Sequence, residues 1–248
     1  MKKDFTGIVG VVLVGVILLT FSGTVYSFIR GAKEPVSVVK TSAVRDADAP
    51  ARVLVIDPGH GGEDGGAVAA DGTKESDIDL LIAGDIDALC ILFGVPSVMT
   101  REGDESLADR FPDDTAGGRK ARDLRGRLRV AEGSDAALLL SIHANKFPDP
   151  SVHGIHVFYS PNDDGSRAAA GIAQEYVNEK LQPDNRKESK KADSSIYLLN
   201  RSKTPAILAE CGFISNGEEL AALKTPEYRA SVACVLFAAA AEYLNSKG

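Results

Sequence analysis

Residues 53–62 read Val-Leu-Val-Ile-Asp-Pro-Gly-His-Gly-Gly. A short apolar run stops abruptly at Asp57-Pro58-Gly59, as expected of a buried strand that feeds a tight loop. The form recurs downstream. Residues 136–142, Ala-Ala-Leu-Leu-Leu-Ser-Ile, are apolar without alternation, the pattern of a strand covered on both faces. Residues 206–209, Ala-Ile-Leu-Ala, repeat it before Glu210. Further strands are predicted at 95–99, 155–159 and 196–199. Between them lie helical patterns. Residues 76–93 place Ile78, Leu81, Ile82, Leu89 and Leu92 near helical spacing, and Thr73 or Ser76 is a candidate cap for that helix. Residues 124–131 are Arg-rich, 166–181 are amphipathic, and 227–244 carry Val232, Val235, Leu236 and Ala239 on one face. Alternating strands and helices predict an α/β three-layer sandwich around a twisted, mostly parallel sheet of about six strands. Sites in such sheets gather at the carboxyl ends of the strands.

Outside this region the chain changes character. Residues 7–28 carry no charged side chain and follow Lys2 and Lys3. That length suits a membrane-spanning helix of roughly 20 residues with its N-terminus inside; a cleaved signal peptide is the competing reading. Residues 31–50 are polar and aperiodic, as in a linker. The expected organisation is an anchor or signal over 1–30, a linker over 31–50 and a catalytic domain over 51–248, acting outside the cytoplasm.

The net charge of −7 offers no basic surface, so nucleic acid is not an expected partner, and an anionic wall polymer would need local contacts. The absence of Trp removes the usual sugar-stacking platform. Cys90, Cys211 and Cys234 form no C-x-x-C pair and are odd in number, so they read as small buried hydrophobes rather than a disulfide scaffold.

Three polar residues stand just past apolar strands: His60, His143 and Glu210. Glu75 opens the first predicted helix. Two histidines and a carboxylate are a common ligand set for catalytic zinc that leaves a place for water. A second carboxylate then serves to move protons. The bland alternatives are a Gly-rich turn with a surface histidine, a helix N-terminal acid favoured by the dipole, and a strand-end acid in an ion pair. Asp57 is a candidate for orienting His60 or its loop. Asn145 and Asn216 suit either substrate contacts or turns, Arg127 suits a structural ion pair, and His153 and His156 read as structural or exposed.

Seven segments in order resemble the type 3 N-acetylmuramoyl-L-alanine amidases. V-I-D-P-G-H-G-G-E-D-G-G-A is similar to their opening motif, and K-E-S-D-I-D-L (74–80) to their E-K-D-x-N-L segment. M-T-R (99–101), L-x-x-R-x-x-x-A (124–131), S-I-H-A-N (141–145), G-I-H-V-F-Y (154–159) and E-C-G-F-I-S-N (210–216) follow. The resemblance implies a zinc-exopeptidase-like (phosphorylase/hydrolase-like) fold, Zn2+ bound by His60, Glu75 and His143, and Glu210 as the catalytic acid and base. It implies hydrolysis of the amide between the lactyl group of N-acetylmuramic acid and L-alanine in peptidoglycan. It places Arg186 and Lys190 near the peptide. The E-C-G-F variant and the K-x-x-D-L-R-x-R region look most like the germination-specific, spore-cortex (CwlD-type) amidases, which implies a lipoprotein partner that promotes zinc binding; a monomer is expected. Glu132 departs from the Asn that usually ends the arginine helix. A zinc peptidase cutting within stem peptides, or a non-catalytic peptidoglycan-binding protein, are the alternative functions.

Overall fold

The computed structural model describes residues 52–246. The predicted anchor and linker lie outside the described residues. Among the described residues no helix is long and apolar enough to cross a membrane.

The chain runs β1 (Val53–Pro58), α1 (Glu75–Phe93), β2 (Ser97–Met99), α2 (Leu107–Arg110), α3 (Arg119–Gly133), β3 (Ala136–Asn145), β4 (His156–Tyr159), α4 (Asp164–Tyr176) with a π-helical turn at Val177–Leu181, β5 (Lys190–Lys191), α5 (Tyr197–Arg201), β6 (Ala206–Phe213), α6 (Gly217–Leu223) and α7 (Pro226–Asn245). Six strands form one sheet in the order β2-β1-β3-β6-β4-β5. Strands β2, β1, β3 and β6 pair in parallel, whereas β4 lies antiparallel to β6 and pairs in parallel with β5. The sheet is therefore mixed, with a parallel majority.

Strand alternation divides the core into two layers. Leu54, Ile56, Leu138, Leu140, Ile142, Ile207 and Ala209 meet α1, α4 and α7. Val55, Leu139 and Leu208 meet Leu128 and Ala131 of α3 and Leu198 and Leu199 of α5. These side chains are buried on both faces, which explains why the strands show no apolar–polar alternation. Full burial of each large aliphatic side chain contributes about 1.5–3 kcal/mol. Cys90 and Cys211 are buried as free thiols and Cys234 is half-buried and free, in line with the expectation of no disulfide.

Two local expectations are corrected. Residues 196–199 were expected to form a strand, but Tyr197–Arg201 is a helix. A four-residue apolar run does not distinguish the two by period. Here Leu198 and Leu199 cover the sheet face instead of joining its edge. The sixth strand is Lys190–Lys191, an exposed pair held to β4 by backbone register alone. The second correction concerns the start of α1, which neither Thr73 nor Ser76 caps. Lys74 is the N-cap residue and its side chain makes no capping bond. The freed N–H groups of Glu75 and Ser76 donate instead to the carbonyls of Ala67 (2.8 Å) and Gly65 (3.2 Å). This joins the first loop to the helix that carries Glu75.

Candidate active site

The loop leaving β1 is held from beneath by two buried arginines. Arg127 of α3 is 2% exposed; its Nη1 donates to Asp57 Oδ1 (2.7 Å) and Pro58 O (2.6 Å), and its Nη2 donates to His60 O. Arg101, 1% exposed, donates from Nε to Pro58 O (3.1 Å) and from Nη2 to Gly59 O (2.6 Å) and Ser76 O (2.9 Å). Three successive carbonyls thus meet charged donors. The arrangement holds His60 at φ 58°, a left-handed conformation that a non-glycine residue enters at a cost of roughly 1–2 kcal/mol. Gly59 is required by contact: a Cβ there would lie 2.4 Å from the His143 ring. Asp57 also accepts from Thr100 Oγ1 and Ser141 Oγ, each at 2.7 Å. Burial would raise the Asp57 pKa, but the Arg127 charge and these hydrogen bonds outweigh it and hold the carboxyl below its ordinary range.

His60, Glu75 and His143 converge above this base. Glu75 Oε1 lies 3.1 Å from His60 Nε2 and 2.9 Å from His143 Nδ1. The other oxygen, Oε2, accepts from Ala67 N at 2.7 Å, which fixes the carboxylate's rotation. The His60 Nδ1 lies 3.1 Å from Asp64 Oδ1, so the second ring nitrogen has a carboxylate partner of the kind that orients metal-binding imidazoles. Burial alone would raise the Glu75 pKa, yet the two imidazoles more than offset it and hold Glu75 anionic well below the usual range. Burial also disfavours the His60 cation, but Glu75 and then Asp64 outweigh it and raise the His60 pKa. Ligands of a tetrahedral zinc with bonds of about 2.0–2.1 Å stand about 3.3 Å apart, close to the two Glu75–imidazole distances. Asp79 belongs to the same group: one donor atom from each of His60, Glu75, Asp79 and His143 lies within 4.8 Å of the others. The donor set and its spacing fit a divalent cation.

Glu210 stands beside this group because β3 and β6 pair His143 with Glu210 in register. Both follow, two residues on, side chains that face α3 and α5 (Ser141 faces Asp57, and Leu208 packs in that layer), so strand alternation turns them to the same side. Glu210 Oε2 is buried and has no hydrogen-bond partner. Burial, with Glu75 adding to it and the imidazoles opposing, pushes Glu210 up to about 7. His60, His143 and Glu210 line one cleft of about 230 Å³ with Asp64, Lys120, Ser195 and Tyr197. Two donors of a group able to hold a cation and a buried carboxylate therefore open on one crevice.

Residues 54–241 match the N-acetylmuramoyl-L-alanine amidase family. The chain belongs to this family. It is 35% identical over 199 residues, covering 79% of this chain and 81% of the relative, to the germination-specific N-acetylmuramoyl-L-alanine amidase of Bacillus subtilis (strain 168). The CwlD amidase from Clostridioides difficile, solved in complex with the GerS lipoprotein, superposes with a TM-score of 0.73 at 31% identity, covering 79% of this chain and 99% of that one. The amidase AmiC2 of Nostoc punctiforme superposes with a TM-score of 0.66 at 29% identity, covering 78% and 97%. The enzyme is thus an N-acetylmuramoyl-L-alanine amidase with the fold of the type 3 enzymes.

Within the amidase the remaining sequence candidates are dispersed. Asp57 is linked to the His60 backbone through Arg127, which donates to both Asp57 and the His60 carbonyl. Asn145 Oδ1 accepts from Lys146 N (2.7 Å) at the end of β3. Asn216 caps α6 by accepting from Glu218 N and Glu219 N and donates to Pro150 O. Arg186 is exposed and lines a cavity of about 720 Å³ with Gln182, Asn185 and Lys187; no lining residue is shared with the His60 cleft. His153 and His156 contact the carbonyls of Ser151 and Glu188. Glu132 pairs with Lys203 at the surface. The sequence reading missed Asp64, Asp79 and the role of Arg101. Asp79 had a signal, since it follows Glu75 by one helical turn.

Proposed function

We propose that the amidase holds zinc on His60, Glu75 and His143 and cleaves the bond between the lactyl carbonyl of N-acetylmuramic acid and L-alanine, with Glu210 as base and then acid. The observation that carries this reading is Glu210: a buried carboxylate with a free oxygen, in register with His143 and titrating near neutrality. Zinc bound there would polarise the carbonyl and lower the pKa of water. Glu210 takes one proton from the attacking water, and the water oxygen adds to the carbonyl carbon. The C–N bond then breaks, and Glu210 returns the proton to the alanine nitrogen. A pKa near the working pH suits both halves of the transfer. Asp64 keeps the His60 ring oriented, and the Arg101–Arg127 base keeps its backbone in place.

Replacing Glu210 with Gln and digesting purified peptidoglycan tests the role. The expected outcome is loss of stem-peptide release with zinc content per chain unchanged, whereas His60→Ala and His143→Ala lose the zinc. Mass spectrometry of the wild-type digest identifies the bond: peptides with an intact N-terminal alanine and bare muramic acid are expected. Undiminished release by the Glu210 variant would rule out its role.

The biological setting follows from the relatives. Similarity to the germination-specific Bacillus subtilis enzyme supports action on spore peptidoglycan, outside the cytoplasm. The Clostridioides difficile relative was solved with a lipoprotein, which supports a lipoprotein partner here; zinc affinity measured with and without the partner tests whether it aids loading. The uncharged stretch 7–28 supports attachment to the membrane, and cell fractionation of the tagged full chain tests it.

A further inference from the structure

Asp79 is a buried carboxylate that the mechanism above does not use. It lies on α1 one turn beyond Glu75, so the two acids project from one helix face. It is 0% exposed, and neither of its oxygens accepts a hydrogen bond. Neighbouring arginines are committed elsewhere. The hydrogen bonds of Arg101 go to the carbonyls of Pro58, Gly59, Ser76 and Gly103, and those of Arg127 go to Asp57, Asp123 and two carbonyls. A carboxylate buried without a donor is disfavoured as an anion and stays protonated unless a cation meets it. The atoms around it point to one. Its oxygen and the donor atoms of His60, Glu75 and His143 all lie within 4.8 Å of one another. Two ligands on opposite sides of a single ion with bonds of about 2.1 Å are about 4.2 Å apart, a span close to that limit.

We propose that Asp79 is a fourth protein donor to the cation held by His60, Glu75 and His143, reaching it from the buried side of the site while the cleft supplies water and substrate. The inference rests on the zinc reading. With Asp79 bound, the ion would carry one more anionic donor while its cleft side stayed open to water.

The test is metal binding by the metal-stripped full chain in detergent, wild type against Asp79→Asn, titrated with Zn2+ in competition with a chromophoric chelator. The dissociation constant is expected to rise by about 10-fold or more in the variant. The absorption of the Co2+-loaded protein is expected to change from the weak bands of a five-coordinate ion to the stronger bands of a four-coordinate one. An unchanged dissociation constant and Co2+ spectrum, in a variant that keeps the wild-type near-ultraviolet circular dichroism, overturns the proposal and leaves Asp79 as a charge balance for Arg101. A wild-type chain that takes up no zinc overturns the zinc reading itself, which is a different result. Should Asp79→Asn not fold, a crystal structure of the zinc-loaded wild type decides: an Asp79 oxygen at about 2.0–2.2 Å from the ion is expected, and one beyond about 3 Å overturns the proposal.

Discussion

The loop after β1 and the end of β6 both sit at the carboxyl edge of the parallel strands, yet they are built in opposite ways. Around His60 the backbone is over-determined: consecutive carbonyls meet buried guanidinium groups, and both ring nitrogens face carboxylates. At Glu210 one oxygen is buried with nothing to bond. Under the proposed mechanism the difference separates two tasks. A ligand must stay in place whether or not its ion is bound, and dense hydrogen bonding achieves that. A proton carrier must remain able to gain and lose a charge, and a polar contact that locked either state would defeat it.

The largest expected break in this contrast is Glu210→Gln, which should lower peptidoglycan hydrolysis by about 10²–10⁴-fold in a product-release assay while the melting temperature changes little. Arg127→Met attacks the opposite side. It strands Asp57 without its cation, and removing one partner of a buried pair costs about 3–5 kcal/mol, readable by urea denaturation; the double variant with Asp57→Asn should recover part of that loss. Gly59→Ala pushes a methyl group into the His143 ring and should weaken zinc affinity by about 10-fold or more while the fold persists. A subtler effect concerns pH. Asp57 titrates below its unfolded value of about 3.9, so it contributes stability above that pH and loses it as pH falls through the folded pKa. Melting curves of wild type and Asp57→Asn should therefore differ at neutral pH and converge below about pH 4. The smallest effect is expected for Asn216→Ala, about 1 kcal/mol from the lost helix cap, with kcat and KM unchanged; a raised KM would instead assign Asn216 to substrate.

The central strands were legible because burial on both faces leaves apolar runs without alternation at 53–56, 136–142 and 206–209. Residues 196–199 carry a similar run, and only their docking over Leu128, Ala131 and Leu208 makes them a helix. Lys190–Lys191 was illegible as a strand, since a two-residue edge pairs by backbone and its exposed side chains carry no pattern. In the site, His60, His143 and Glu210 stood out as polar residues ending apolar strands. Arg101 did not, because its carbonyl partners are brought to it by the loop's path rather than by any local spacing. Asp64 is similar: its turn back onto His60 depends on the glycine-rich loop closing between Gly61 and Asp64.

Arg52 enters the fold at the amino end of β1, where its side chain donates to the Leu244 carbonyl at the end of α7. The chemistry lies at the other end of the same strand, about 20 Å away at roughly 3.3 Å per residue. A pull on the chain before Arg52 is therefore taken up as shear along β1, whose parallel neighbours β2 and β3 share it. The glycine loop bearing His60 begins at the last hydrogen bond of that length, from Gly59 N to the Ile142 carbonyl. Tension applied at Arg52 would reach the cleft only after the pairing of β1 had yielded.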